Sequence, residues 1–163
     1  MPSAMFAGSF DPLHRGHLGI IETGARLFDR LWVVAAGNPA KQHGLLSLEE
    51  RRDLIAASTH HLSNVEAIAH SGLLVDVAES LGVAALIRSI GKEHGHEFEM
   101  AHANACLSGI ATVFVPPRRE SWWISSRLVR ERYNEGDLGA VGEMVPPAVA
   151  SALAVLSSSR LHT

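Results

Sequence analysis

Apolar residues fall along this chain in two alternating kinds of segment. Short, mostly apolar runs occupy Ala4 to Ala7, Leu31 to Ala36, Val65 to Ala69, Val83 to Ile87 and Ala111 to Val115. Each has the length of a buried strand, and several end at glycine or proline. Between them the apolar positions recur at helical spacing. From about Gly16 these are Leu18, Ile21, Ala25 and Phe28. Ser47, with Glu50 three residues on, reads as a capping box and predicts a helix to about Thr59. Further helices are predicted over Leu73 to Leu81, over Glu97 to Leu107, from a cap at Ser125 or Ser126 through Tyr133, and over Pro146 to Leu156. The tail from Ser157 to Thr163 is expected to fray.

Strands that alternate with helices, and that are apolar on both faces, imply βαβ units. The expected architecture is α/β: one domain, with a Rossmann-like parallel five-stranded sheet and helices on both faces. Ligands of such sheets bind beyond the carboxyl ends of the strands. Those ends fall at Gly8-Ser9, at Gly37 to Lys41, at Arg88 and from Pro116 onward. The chain's polar, unusual residues gather at these four places. No internal repeat, linker or low-complexity stretch interrupts the pattern.

Composition narrows this picture. A length of 163 residues suits one domain with a full core, and 47% apolar with 19% charged residues is ordinary for a globular chain. The net charge of -3 and the lack of a long basic run argue against sequence-wide nucleic-acid binding, but leave room for a local basic pocket. Cys106 is the one cysteine, so no intramolecular disulfide forms; its helical apolar surroundings read as core. The first residues lack the charged and apolar regions of a signal peptide, and no apolar run reaches membrane-spanning length. A cytoplasmic protein is expected.

The candidate chemistry begins at Gly8-Ser9-Phe10-Asp11-Pro12-Leu13-His14-Arg15-Gly16-His17. Gly8 lets backbone approach a phosphate closely. His14 and His17 flank Gly16 at the start of a helix, where free N–H groups and the dipole favour anions. Imidazole donors there could hold a nucleotide triphosphate. Alone, the histidine pair fits an ordinary strand–turn–helix; the preceding Gly-Ser-Phe-Asp-Pro makes the nucleotide reading the stronger. No Ser-His-Asp or Cys-His arrangement suggests a covalent nucleophile.

That string resembles the nucleotidylyltransferases of the HIGH-motif superfamily. Asn38-Pro39-Ala40-Lys41, Ser47 to Arg51, Ser71 to Val75, Ile87-Arg88 and Ile124 to Glu131, in this order, resemble the bacterial phosphopantetheine adenylyltransferase family. The resemblance runs from about Ala4 to Leu153. It implies a reaction in which the phosphate of 4'-phosphopantetheine attacks the α-phosphate of ATP. The products are dephospho-coenzyme A and pyrophosphate. It also implies magnesium held mainly by ATP phosphates, and no covalent intermediate. Positioning and charge neutralisation suffice for such a transfer.

The resemblance carries roles to particular residues. Ser9 would donate its hydroxyl to a phosphate, and Phe10 would contact the nucleotide. His14 belongs to the ATP site, and His17 would stabilise charge developing on the α-phosphate. Lys41 would bridge the attacking phosphate and the α-phosphate. Leu74 would line the pantetheine arm, and Arg88 would bind the acceptor phosphate. Ser89, Ile90 and Gly91 fall on an ATP-binding run. Ser121, Trp122, Trp123, Ile124, Ser125, Ser126 and Arg127 would wrap the adenine and triphosphate. The family also implies a homohexamer and coenzyme A as a feedback ligand.

Several positions depart from the family. Its second arginine after the fourth strand is Gly91 here; Lys92 or Arg127 could compensate, although a lysine is no bidentate substitute for an arginine. The segment before Met100 is about two residues short, so the ATP-contacting glutamate is Glu97 or Glu99 according to where the gap lies. Arg127 replaces a serine. These changes keep two alternatives open: a different acceptor or nucleotide, or a paralogue that binds without turnover. His94, His96 and His102, with Glu93, Glu97 and Glu99, lack a fixed ligand spacing and read as a solvated loop, with a metal site the lesser alternative. Trp122 and Trp123, as neighbours on an extended chain, are expected to face opposite ways, one to nucleotide and one to packing.

Overall fold

The computed structural model describes residues 2–37, 44–90, 99, 101, 105, 106 and 108–160. The strands β1 (Ser3–Gly8), β2 (Arg30–Gly37), β3 (Val65–Ser71), β4 (Ala85–Ser89) and β5 (Ala111–Val115) pair in parallel in the order β3-β2-β1-β4-β5. The helices are α1 (Arg15–Leu27), α2 (Leu48–Thr59), α3 (Leu74–Ser80), α4 (Ser126–Asn134), α5 (Leu138–Met144) and α6 (Pro147–Arg160). Residues 99, 101, 105, 106 and 108 are also helical. The rest of the predicted Glu97 to Leu107 helix lies outside the described residues.

Alternation along each strand divides the interior in two. Ala4 and Phe6 of β1, Leu31, Val33 and Ala35 of β2, and Ala85 and Ile87 of β4 join one core with residues of α1, α2, α4, α5 and α6. Met5, Ala7, Val34 and Leu86 point the other way and pack with Val77 and Ala78 of α3. Both faces of the sheet are therefore covered, as the apolar runs require. Close approach of α1 to the sheet depends on Gly24. A Cβ there would lie 2.7 Å from Ile87 Cδ1 and 3.0 Å from Leu31 Cδ2. Gly24→Ala is expected to cost about 1–3 kcal/mol by overpacking. Urea unfolding checks this: the midpoint should fall while the m-value holds.

Four sequence expectations need correction. The fourth strand was expected over Val83 to Ile87 but begins at Ala85 and takes in Arg88 and Ser89. The Val83 N–H bonds to Ala78 O at 3.2 Å and so closes the turn after α3, while Arg88 and Ser89 pair with Phe114 and Val115. Helix α5 was not expected. Gly139 and Gly142 lower its helix propensity, but Asp137 caps it and burial of Val141 and Met144 holds it. The tail does not fray at Ser157, because α6 continues to Arg160 and the Ser158 and Ser159 hydroxyls donate to the Ala154 and Val155 carbonyls. Residues 161–163 lie outside the described residues. Cys106 is exposed, not core.

Candidate active site

The strand order reverses at β1, with β2 on one side and β4 on the other. Open α/β sheets form their crevice beyond the carboxyl ends of strands at such a point. A pocket of about 650 Å³ lies there, within the usual range for small-molecule sites. His14, Gly16, His17 and Ile20 line it from the β1–α1 side, and Ser89 and Ile90 from the end of β4. Pro117 and residues 121–126 close it from the segment that leads into α4. The pocket thus lies between the N-termini of two helices, capped by His14 and by Ser125. Free N–H groups and the dipole at both make it a place for anions.

The histidine pair is built by helix capping. His14 Nδ1 accepts from Gly16 N at 3.1 Å and His17 N at 3.4 Å, and His17 Nδ1 accepts from His14 N at 3.4 Å. The reciprocal bonds form a capping box made from two histidines. They also settle the tautomers: with both Nδ1 atoms accepting, a neutral ring carries its proton on Nε2, leaving Nε2–H as a donor. The rings stack with centroids 3.6 Å apart. Gly16 makes this possible, since a Cβ there would lie 2.9 Å from the His14 ring.

Burial pushes His14 down to about 4 from its ordinary 6.5. His17 is held well below its ordinary value, first by burial and then by His14 beside it. Both imidazoles are therefore neutral donors at pH 7. Stability follows from the sign. The folded pKa is below the unfolded one, so the unfolded chain takes up the proton first. His14's contribution is complete above about pH 6.5 and is lost as pH falls toward 4. At pH 5 this one group is expected to cost about 2 kcal/mol. Urea unfolding at pH 7.5 and 5 measures the slope, and His14→Asn, which keeps a capping oxygen, should reduce it. An equal slope in both proteins would reject the assignment.

The other expected residues divide. Ser121, Ile124, Ser125, Ser126, Ser89 and Ile90 line the pocket, as do Trp122 and Trp123. That both tryptophans do so corrects the expectation that they face opposite ways: residues 119–123 form turns, not extended chain. Trp123 Nε1 is fixed on Glu120 O at 3.0 Å. The Phe10 ring is buried among Phe6 and His17, edge-on to both. Its φ of 45° is strained for a residue with a Cβ. Ser9 is exposed at the same turn.

Arg127 does not join the pocket; its Nε bonds Glu131 Oε1 at 2.9 Å on the surface of α4. Glu99 is helical and exposed. Lys41, Gly91 and Glu97 lie outside the described residues, as do His94, His96 and His102. Among the described residues no group of three or more His, Cys, Asp or Glu side chains could hold a metal. Arg88 and Leu74 are not among the residues that line the histidine pocket. Leu86 packs on the α3 face, so Arg88, two residues on, shares that face, where Leu74 also packs. Ser89 faces the histidine pocket. One strand end thus presents polar groups to both faces.

Sequence reasoning missed the residues that hold the β1–α1 turn. The Asp11 carboxylate accepts from Leu45 N and Leu46 N, each at 2.9 Å, and pairs with Arg51. Arg130 Nη1 donates to Asp11 O at 2.6 Å. Arg51 and Arg130 both stand inside the strings that carry the family resemblance, Ser47 to Arg51 and Ile124 to Glu131, which is the signal that could have found them.

The model of the cytidylyltransferase-like family matches residues 5–132. Phosphopantetheine adenylyltransferase of Haemophilus ducreyi is 43% identical over 154 residues, covering 93% of this chain and 94% of that one. The enzyme of that name from Actinobacillus pleuropneumoniae is 44% identical over 155 residues, covering 93% and 96%. Among solved structures, Thermotoga maritima TmcAL bound with alpha-thio ATP superposes with a TM-score of 0.71 at 12% identity, over 98% of this chain and 56% of that one. That likeness speaks to the fold alone. With a family model over most of its length and relatives above 40% identity along nearly all of it, the chain belongs to the phosphopantetheine adenylyltransferases of the cytidylyltransferase-like family.

Proposed function

We infer that the chain transfers the adenylyl group of ATP to 4'-phosphopantetheine, a step of coenzyme A biosynthesis. A phosphate oxygen of the acceptor bonds to the α-phosphorus, the bond from that phosphorus to the β-bridging oxygen breaks, and pyrophosphate leaves. The products are dephospho-coenzyme A and pyrophosphate. The observation that carries this reading is the neutral, Nε2–H-presenting histidine pair at a pocket between two helix N-termini. Such a site meets phosphate charge with fixed donors and needs no protein nucleophile.

Roles follow from placement. His17 donates to the α-phosphate oxygens as charge develops, and Ser121 to Ser126 hold the nucleotide. Arg88 and Leu74, on the α3 face, take the acceptor's phosphate and arm. Lys41 bridges the two phosphates, and Ser9 donates to one of them. Magnesium, as the family resemblance implies, would be held mainly by the ATP phosphates, where it would supply charge neutralisation on the leaving phosphates. A cytoplasmic location, a homohexamer and coenzyme A as feedback ligand complete the proposal. Among the described residues no helix is long and apolar enough to cross a membrane.

Pyrophosphate release from ATP and magnesium, with and without 4'-phosphopantetheine, tests the reaction, with the product identified by mass. Dephospho-coenzyme A formed only with that acceptor is expected. Its absence, with ATP still bound, would reject the acceptor.

A further inference from the structure

The turn that joins β1 to the histidine helix is gripped by its carbonyls. Arg51 Nη1 donates to Ser9 O at 3.3 Å, Arg130 Nη1 to Asp11 O at 2.6 Å, and Ser126 Oγ to Pro12 O at 2.9 Å. Ser126 and Arg130 stand four residues apart on α4, so one helix face delivers two of the three donors. Arg51 comes from α2, across the mouth of the sheet.

Asp11 ties this grip to a further segment. Its two carboxylate oxygens accept from Leu45 N and Leu46 N, and Arg51 Nε lies 3.5 Å from Oδ1 while donating to Leu46 O at 2.8 Å. The pair is nearly enclosed, with side-chain exposures of 13% and 10%. Space is reserved for it: a Cβ on Gly44 would fall 2.8 Å from Asp11 Oδ2 and closer still to Arg51 Nη2. An enclosed ion pair is weak evidence for stability, because desolvation offsets its attraction. What it does supply is a defined geometry. The turn it fixes is also the one that holds Phe10 at φ 45°. Neither Arg51 nor Arg130 lines the pocket.

We propose that Arg51 and Arg130 are positioning residues for the transfer, acting through the carbonyls of Ser9 and Asp11 to hold Ser9 and the His14–His17 pair against the N-terminus of α4. The kinetic part rests on the adenylyl-transfer reading. A displacement of about 1 Å at a reacting group costs on the order of a hundredfold in rate. Arg130→Met keeps the stem and removes the donors, and kcat is expected to fall 10- to 100-fold, with the KM for ATP within threefold. Arg130→Lys should recover part of the loss. In a His17→Ala background, Arg130→Met should lower kcat by a clearly smaller factor than in the wild type, because misplacing an absent imidazole has no further effect. The same fold-loss in both backgrounds would overturn the proposal.

A second readout needs no turnover. In the free protein, imidazole ¹⁵N shifts report the Nδ1-accepting, Nε2–H pattern of His14 and His17. Arg130→Met and Arg51→Met are expected to average or invert that pattern, and unchanged spectra would overturn the proposal. Should a methionine variant not fold, the lysine variant at the same position carries both readings. If the wild-type protein forms no dephospho-coenzyme A, the adenylyl-transfer reading fails, and the imidazole spectra decide the positioning claim by themselves.

Discussion

Replacement of His17 by alanine is expected to lower kcat by about 10²–10³-fold while ATP affinity changes far less. The reason is the direction of one N–H. His17 Nδ1 is occupied by the backbone N–H of His14, and burial keeps the ring neutral, so its proton sits on Nε2. The ring is wedged edge-on against Phe10 and stacked on His14, which fixes its orientation before substrate arrives. Charge on the α-phosphate oxygens grows as the acceptor attacks, so a fixed donor there contributes more in the transition state than in the bound state. The helix N-termini and residues 121–126 still line the pocket in the variant, so ATP binding is expected to persist. Steady-state kinetics with an ATP-binding measurement checks the split. Normal turnover in the variant would remove His17 from the chemistry, and a parallel loss of ATP affinity would make it a binding residue only.

Arg88→Ala is expected to raise the KM for the acceptor by roughly 30- to 150-fold and to leave that for ATP nearly unchanged. The estimate takes charge-assisted hydrogen bonds as worth about 2–3 kcal/mol. Its selectivity follows from the two-residue period of β4. Ile87 lies in the core beneath the histidine helix, Leu86 in the core beneath α3, and Arg88 continues the second series. Ser89 lines the histidine pocket from the same strand end. The substitution therefore strips a cation from the α3 side and leaves the nucleotide side intact. Varying each substrate at saturating levels of the other separates the two constants. An unchanged acceptor KM would reject the assignment of Arg88, and an equal rise in both would mean that the two faces are not separate sites.

Much of the lining of the histidine pocket was legible in order along the chain. Capping is a local interaction, so Ser47 with Glu50 announced α2, and the two residues form the reciprocal bonds expected. The histidine pair was legible as a helix start, but its own role as cap was not, because imidazole is an uncommon capping group. Segments held mainly by distant contacts read poorly. Helix α5 carries two glycines and owes its existence to Val141 and Met144 in the core. The tryptophans converge on one pocket because a turn reverses the alternation of an extended chain.

The sequence by itself determined the βαβ alternation, the parallel sheet with its unusual polar residues at the carboxyl edge, and the motif strings that identify the family. Those features depend on residues near one another in the chain or on the period of apolar positions, and both can be read in one dimension. Only the tertiary structure decided that the order β3-β2-β1-β4-β5 opens its crevice beside β1. It also decided that Asp11 meets Arg51 and that Arg130 reaches back across more than a hundred residues to the Asp11 carbonyl. The physical reason is range: a cap or a hydrophobic period is an interaction between neighbours. A buried carboxylate or a turn carbonyl takes whichever donor the folded chain delivers, and no local pattern records which one that will be.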